Sequence, residues 1–221
     1  MAEKIRSVHT AIAHDSAARH VSGTALYVDD LLTPSGLLHC YIGTCNRAHA
    51  RIVSMDLSAV VAYPGVVRVM CAADIPGANQ ISPIHMNDEP VLAETLVEFA
   101  GQPVFAVLAE SRSAARHAAQ LAKIEYEDLP AILDVEVALD AQSFVLEPHI
   151  MQRGDPQSAL ASASHRLQGE IRVGGQDHFY LEGQVSMALP QEDGDMLVLT
   201  SSQHPTEVQH LVAASLGRPD N

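Results

Sequence analysis

GQPVFAVLAESRSAARHAAQLAKIEYEDLP, residues 101–130, is the stretch from which the fold is best read. Its first part, GQPVFAVLAE, is an almost unbroken apolar run of strand length, which suits a strand buried on both faces. SRSAARHAAQLA follows, rich in alanine and opening on Ser111, a residue type that caps helix N-termini, so it reads as a helix. KIEYEDLP then returns as a strand. This strand, helix, strand order predicts a crossover unit inside a mixed α/β domain ending near Pro130.

Upstream, Leu37 to Thr44 and Arg51 to Asp56 read as strands on either side of a turn at Asn46. DLSAVVAYPG is a short helix stopped by Pro64 and Gly65, and VVRVMC from Val66 is another strand. Downstream, after the loop around LEPHIMQRG, Asp155 and Pro156 take the N-cap and first position of a helix. HRLQGEIRVGG follows as an alternating strand, QVSMALP and MLVLTSSQ form a hairpin through the acidic turn QEDGD, and HPTEVQHLVAASLG is a helix closed by Gly217. The expected division is an N-terminal arm (1–21), an α/β domain (22–130), a connecting segment (131–153) and a second domain (154–221). The last holds too few strands and helices to enclose a core of its own.

With 221 residues and 47% hydrophobic composition the chain is long enough to bury a core. A formal charge of −14 repels both nucleic-acid phosphates and anionic membranes, so neither is expected as a partner. The opening MAEKIRSVHTAIAHDSAARHVSG gathers no signal-peptide core, and no run approaches the ~18 apolar residues of a membrane span, so a cytoplasmic location is expected. Cys40, Cys45 and Cys71 are odd in number and without CxxC spacing, and read as reduced core thiols.

Most candidate sites fall to simpler readings. Twelve histidines contain no HExxH, and His14/His20 and His204/His210 are six apart, off a common helix face. Phosphate-binding glycine loops and a GxSxG elbow are missing. Asp88 and Glu89 are adjacent, so in a strand they face opposite ways, and they read as a loop-exposed pair.

GGQDHFYLEGQ, residues 174–184, is different. Gly174 and Gly175 leave backbone unshielded, which permits close approach of a ligand or an unusual φ. Gln176 adds an uncharged amide that both donates and accepts. The spacing also suits a glycine bulge leading into a half-exposed strand whose polar row, Gln176, His178, Tyr180, Glu182 and Gln184, faces water.

This segment resembles the one with which molybdenum hydroxylases of the xanthine dehydrogenase family begin their molybdenum-cofactor-binding region. SGTALYVDDL, AHARIVSMDLS, PGVVRVMCAADIPG, EFAGQPVFAVLAES, EYEDLP, RGDPQSAL and SSQHPTEVQHLVAASLG resemble that family too, in the family's order. The resemblance implies an α/β hammerhead domain over about Ser22 to Pro130, followed by the start of a molybdopterin-binding portion. It implies hydroxylation of xanthine or hypoxanthine at an electron-poor ring carbon. Electrons would leave through 2Fe-2S clusters and FAD, carried on other modules or a partner subunit of a hetero-oligomer, to NAD. Gln176 matches the family's glutamine beside molybdenum, with Gly174 and Gly175 as backbone neighbours of the cofactor. Phe179, Tyr180 and Glu182 are expected to pack and pair as strand residues. The family's later cofactor segments, substrate-orienting residues and general-base glutamate have no counterpart here, so no catalytic residue is expected in these 221 residues, and no cofactor on the isolated chain. A non-catalytic assembly module, or a relative oxidising aldehydes or other N-heterocycles, are the alternatives.

Overall fold

The structure is a computed structural model that describes residues 8–82 and 87–220. The first seven residues of the expected arm, His85 in the loop before Asp88, and Asn221 lie outside the described residues.

After a short helix α1 (Ala17–Ser22), the chain up to Asp128 forms two three-stranded antiparallel sheets sharing one core. The strands are β1 (His39–Thr44), β2 (Ala50–Asp56), β3 (Val66–Met70), β4 (Leu96–Val97), β5 (Pro103–Ala109) and β6 (Lys123–Asp128), in the orders β1-β5-β3 and β4-β2-β6. Helix α2 (Ser58–Val61) precedes β3, and α3 (Arg112–Ala119) joins β5 to β6. The apolar run at 103–109 is the central strand, and Val104 and Val107 are fully buried. Ala115, Ala118 and Ala119 form the buried face of α3, and their small side chains let the helix lie close to β5 and β1. Ser111 caps α3 as predicted, its Oγ accepting from the Ala114 N–H at 3.1 Å. One hydrophobic cluster joins both sheets and α3, through Ala50, Val60, Val97, Phe105 and Ala118 among others.

The predicted crossover unit is corrected by this topology. β5 and β6 belong to different sheets, and each is antiparallel to its neighbours. Both edges of β5 are occupied, by β1 and β3, so β6 has no place beside it and pairs with β2 instead. β1 and β2, read as strands around Asn46, likewise fall in separate sheets.

Beyond Pro130 come α4 (Val135–Asp140), α5 (Pro156–Ser162), the hairpin β7 (Ser186–Pro190) and β8 (Met196–Thr200), and α6 (Pro205–Leu216). Asp155 caps α5, accepting from the Ser158 N–H at 3.0 Å, and Gly217 closes α6 at φ 64°. The end of α6 meets the loop after β3 at Gly77. The Gly77 and Ala78 N–H groups donate to Ser215 and Ala214 carbonyls at 2.9 and 2.8 Å. A Cβ on Gly77 would stand within 2.1 Å of the Ala214 oxygen, so only glycine permits this approach.

Two further expectations are overturned. HRLQGEIRVGG and GGQDHFYLEGQ are not strands: residues 165–184 join no sheet among the described residues. A strand needs a partner for its ladder, and Phe179 sits at φ 47°, which breaks the pleat in mid-run. The row of polar side chains on one face therefore does not form, nor do Phe179, Tyr180 and Glu182 pair as strand residues. Of the cysteines, Cys45 is a core thiol, with its Sγ 3.1 Å from the Phe99 carbonyl, and Cys71 is half-buried, but Cys40 is exposed, since it lies on the outer face of β1.

Candidate functional site

Gly174, Gly175 and Gln176 lie in the irregular stretch between α5 and β7, all exposed. A Cβ on either glycine would meet nothing within 4 Å, and neither has a positive φ. The unusual-φ and bulge readings therefore fail, and open space at both positions is what remains. Among the described residues the Gln176 amide has no hydrogen-bond partner, so both its donor and its acceptor are available. The next residue folds the chain locally: Asp177 Oδ1 accepts from the Phe179 N–H at 3.3 Å, and Phe179 is 93% exposed.

The segment is held at its two ends. Arg172 pairs with Glu136 of α4. Downstream, Glu182 Oε1 accepts from the Val28 N–H at 3.0 Å, and the Gly183 carbonyl accepts from Ser201 Oγ at 2.9 Å. The contact at Glu182 was missed by the sequence reading, because its partner is 154 positions away and no local spacing announces it.

Asp88 is occupied structurally, accepting from Ser82 Oγ at 2.9 Å, while the Glu89 N–H donates to Gln80 Oε1 at 3.0 Å. Gln80 Oε1 also accepts from the Ile81 and Ser82 N–H groups, and Asn79 exchanges two hydrogen bonds with the Leu92 backbone. These two amides organise the loop. His204 caps α6 through Nδ1, and His210 pairs with Asp220. Among the described residues no cluster of three His, Cys, Asp or Glu side chains is placed to hold a metal ion. Among the described residues no helix is long and apolar enough to cross a membrane.

The chain thus places two antiparallel sheets around an alanine-faced helix ahead of an open glycine–glycine–glutamine segment. Residues 22–130 match the model for the aldehyde oxidase and xanthine dehydrogenase a/b hammerhead domain, and residues 140–221 match the molybdopterin cofactor-binding domain. The chain belongs to the aldehyde oxidase and xanthine dehydrogenase family of molybdenum hydroxylases.

It is 39% identical over 210 residues to a xanthine dehydrogenase of Dictyostelium discoideum, a match covering 95% of this chain and 15% of that protein. With aldehyde oxidase 4 of Rattus norvegicus it shares 40% over 212 residues, covering 95% of this chain and 16% of that one. Among solved structures, the aldehyde oxidoreductase from Desulfovibrio gigas superposes with a TM-score of 0.82 at 27% identity, over 93% of this chain and 25% of that one. Quinoline 2-oxidoreductase from Pseudomonas putida 86 gives 0.79 at 30% identity, over 98% and 30%. The chain thus spans about 15% of the length of the curated relatives it matches.

The residues present suit the family's cofactor in chemistry but do not enclose it. Backbone without Cβ atoms and an unengaged neutral amide match a polar, planar ligand. Two hollows lie elsewhere, one of about 310 Å³ beside Tyr41, Phe105 and Tyr126, the other of about 520 Å³ along Gln142 to Pro148.

Proposed function

We propose that this chain is the N-terminal portion of a xanthine dehydrogenase molybdenum-binding subunit, acting on xanthine or hypoxanthine within a hetero-oligomer whose iron–sulfur and FAD modules pass electrons to NAD. The observation that carries the cofactor part of the reading is the unengaged Gln176 amide behind two glycines with open space around them. Gln176 would hold the cofactor through its amide, and the Gly174 and Gly175 backbone would lie against it. When bound, the molybdenum centre supplies the redox and hydroxylating chemistry. The amide's part is to donate or accept without adding charge, so it holds an oxygen ligand whatever that ligand's protonation. The segment is tied at its ends to Glu136, Val28 and Ser201.

The 221 residues alone are expected not to turn over, since few of the hydrogen-bond partners a buried pterin phosphate needs are among them. The same open geometry serves an aldehyde-oxidising relative equally well, and the 40% identity to an aldehyde oxidase favours keeping that substrate class in the test. The complete subunit, purified with its partner modules, is assayed for molybdenum content and for oxidation of xanthine and of an aldehyde. Molybdenum with xanthine turnover is expected. Gln176→Ala is expected to lower kcat by about 100-fold, the scale of removing one oriented donor from a developing charge. A subunit without molybdenum overturns the cofactor reading, aldehyde turnover without xanthine turnover overturns the substrate, and robust xanthine turnover by the 221-residue chain overturns its incompleteness.

A further inference from the structure

Glu182 takes no part in the cofactor contact proposed above, yet it fastens that segment to the hammerhead region. Its partly shielded Oε1 accepts from the Val28 N–H at 3.0 Å. Val28 opens a single 3-10 turn, Val28–Asp30, which is itself fixed twice. Asp30 Oδ2 accepts from the Tyr27 N–H at 3.0 Å, and Asp29 pairs with Arg112 at the start of α3, at 2.8 Å. The N–H that Glu182 receives therefore belongs to a turn closed by Asp30 and joined to the start of α3. Gln176 and Glu182 are six positions apart, a reach of at most about 20 Å when extended. Between Val173 and Leu181, among the described residues, the one hydrogen bond is the local one from Phe179 to Asp177.

We propose that Glu182 is a positioning residue, whose carboxylate clamps the downstream end of the Gln176 segment to the Val28 turn and so fixes where the amide is presented. This rests on the reading of Gln176 as a cofactor contact. An acceptor oxygen is what the clamp requires, so glutamine at 182 keeps it and alanine does not.

The test uses the complete molybdenum-binding subunit carrying Glu182→Ala, Glu182→Gln or Val28→Pro. The last deletes the donor while leaving Glu182 intact, and proline is accommodated there because Val28 is the first residue of its turn and Tyr27 before it is extended, with ψ 168°. In the subunit without cofactor, chymotrypsin cleavage after Phe179 and Tyr180 is expected to quicken about fivefold in Glu182→Ala and Val28→Pro and to stay unchanged in Glu182→Gln, as for loss of one ordinary hydrogen bond. In the holoenzyme, kcat is expected to fall about fivefold with KM and molybdenum content held, the molybdenum EPR signal is expected to broaden, and Glu182→Gln is expected to restore both. Cleavage unmoved in both Glu182→Ala and Val28→Pro, or Glu182→Gln as impaired as Glu182→Ala, overturns the clamp. Faster cleavage with kcat and the EPR signal unmoved overturns the positioning role. A wild-type subunit that holds no molybdenum overturns the reading beneath it, and that failure is told apart by the cleavage result, which does not depend on the metal.

Discussion

Gly43 shows how far a single missing side chain shapes this molecule. It stands opposite Phe105 across the β1–β5 pair, and a Cβ there would come within 2.2 to 2.6 Å of three ring atoms. Phe105 is 2% exposed and packed in the core cluster, so its ring would have to shift within the core to make way. Gly43→Ala is expected to destabilise the chain by about 1–3 kcal/mol, the usual cost of overpacking a filled core. A lowered urea midpoint with an unchanged m-value checks this, and adding Phe105→Leu should return part of the loss. At Gln176 the chemistry was legible because it is a property of residue type: a neutral amide after two residues without side chains. Its surroundings were not, since Phe179 at φ 47° and the reach from Glu182 to Val28 depend on backbone and partners that no neighbouring residue encodes.

Elements were legible where capping and periodicity are local. Ser111 and Asp155 began their helices, Gly217 ended one, and the hairpin around QEDGD formed in register from Ser186↔Thr200 to Pro190↔Met196. Pairing was harder. KIEYED alternates exposed and half-buried residues, the mark of a one-sided antiparallel strand, and that alternation conflicts with a crossover to a doubly buried parallel neighbour. The caps carry a pH dependence of their own. The Ser158 hydroxyl, and then its N–H, hold the Asp155 carboxyl below its ordinary 3.8, and the Cys71 N–H, then Arg68, do the same for Asp74. A folded-state value below the unfolded one means the stabilisation is complete above the ordinary value and is lost as pH falls through and beneath it. The urea midpoint is therefore expected to decline from about pH 5 downward, and less steeply in an Asp155→Asn, Asp74→Asn variant, whose side chains accept at every pH. Equal slopes in the two proteins would rule this out.

Across the whole molecule, burial is uneven. The core cluster lies within residues 45–119, whereas among the described residues beyond Pro130 Ala213 is the buried apolar one. Leu133, Val145, Met151, Leu167, Ile171, Val173, Phe179 and Leu181 all stand largely in water. The sequence reading foresaw this thinness, because two strands, a hairpin and two helices offer too few faces to cover one another. It did not foresee that the two runs expected as extra strands would stay unpaired. With so little apolar surface buried, residues 141–184 should open at a small fraction of the free energy needed to open β5 and α3. Arg153, Arg166 and Arg172 are exposed in that stretch outside any helix or strand, whereas Arg51, Arg116 and Lys123 lie within elements packed on the core. Brief trypsin treatment is therefore expected to cut at 153, 166 and 172 first and to leave a fragment containing β1 to β6. Mass spectrometry of early digests decides it: cleavage at 51, 116 and 123 at matching rates would mean that the six-stranded region is no more stable than the stretch that carries Gln176.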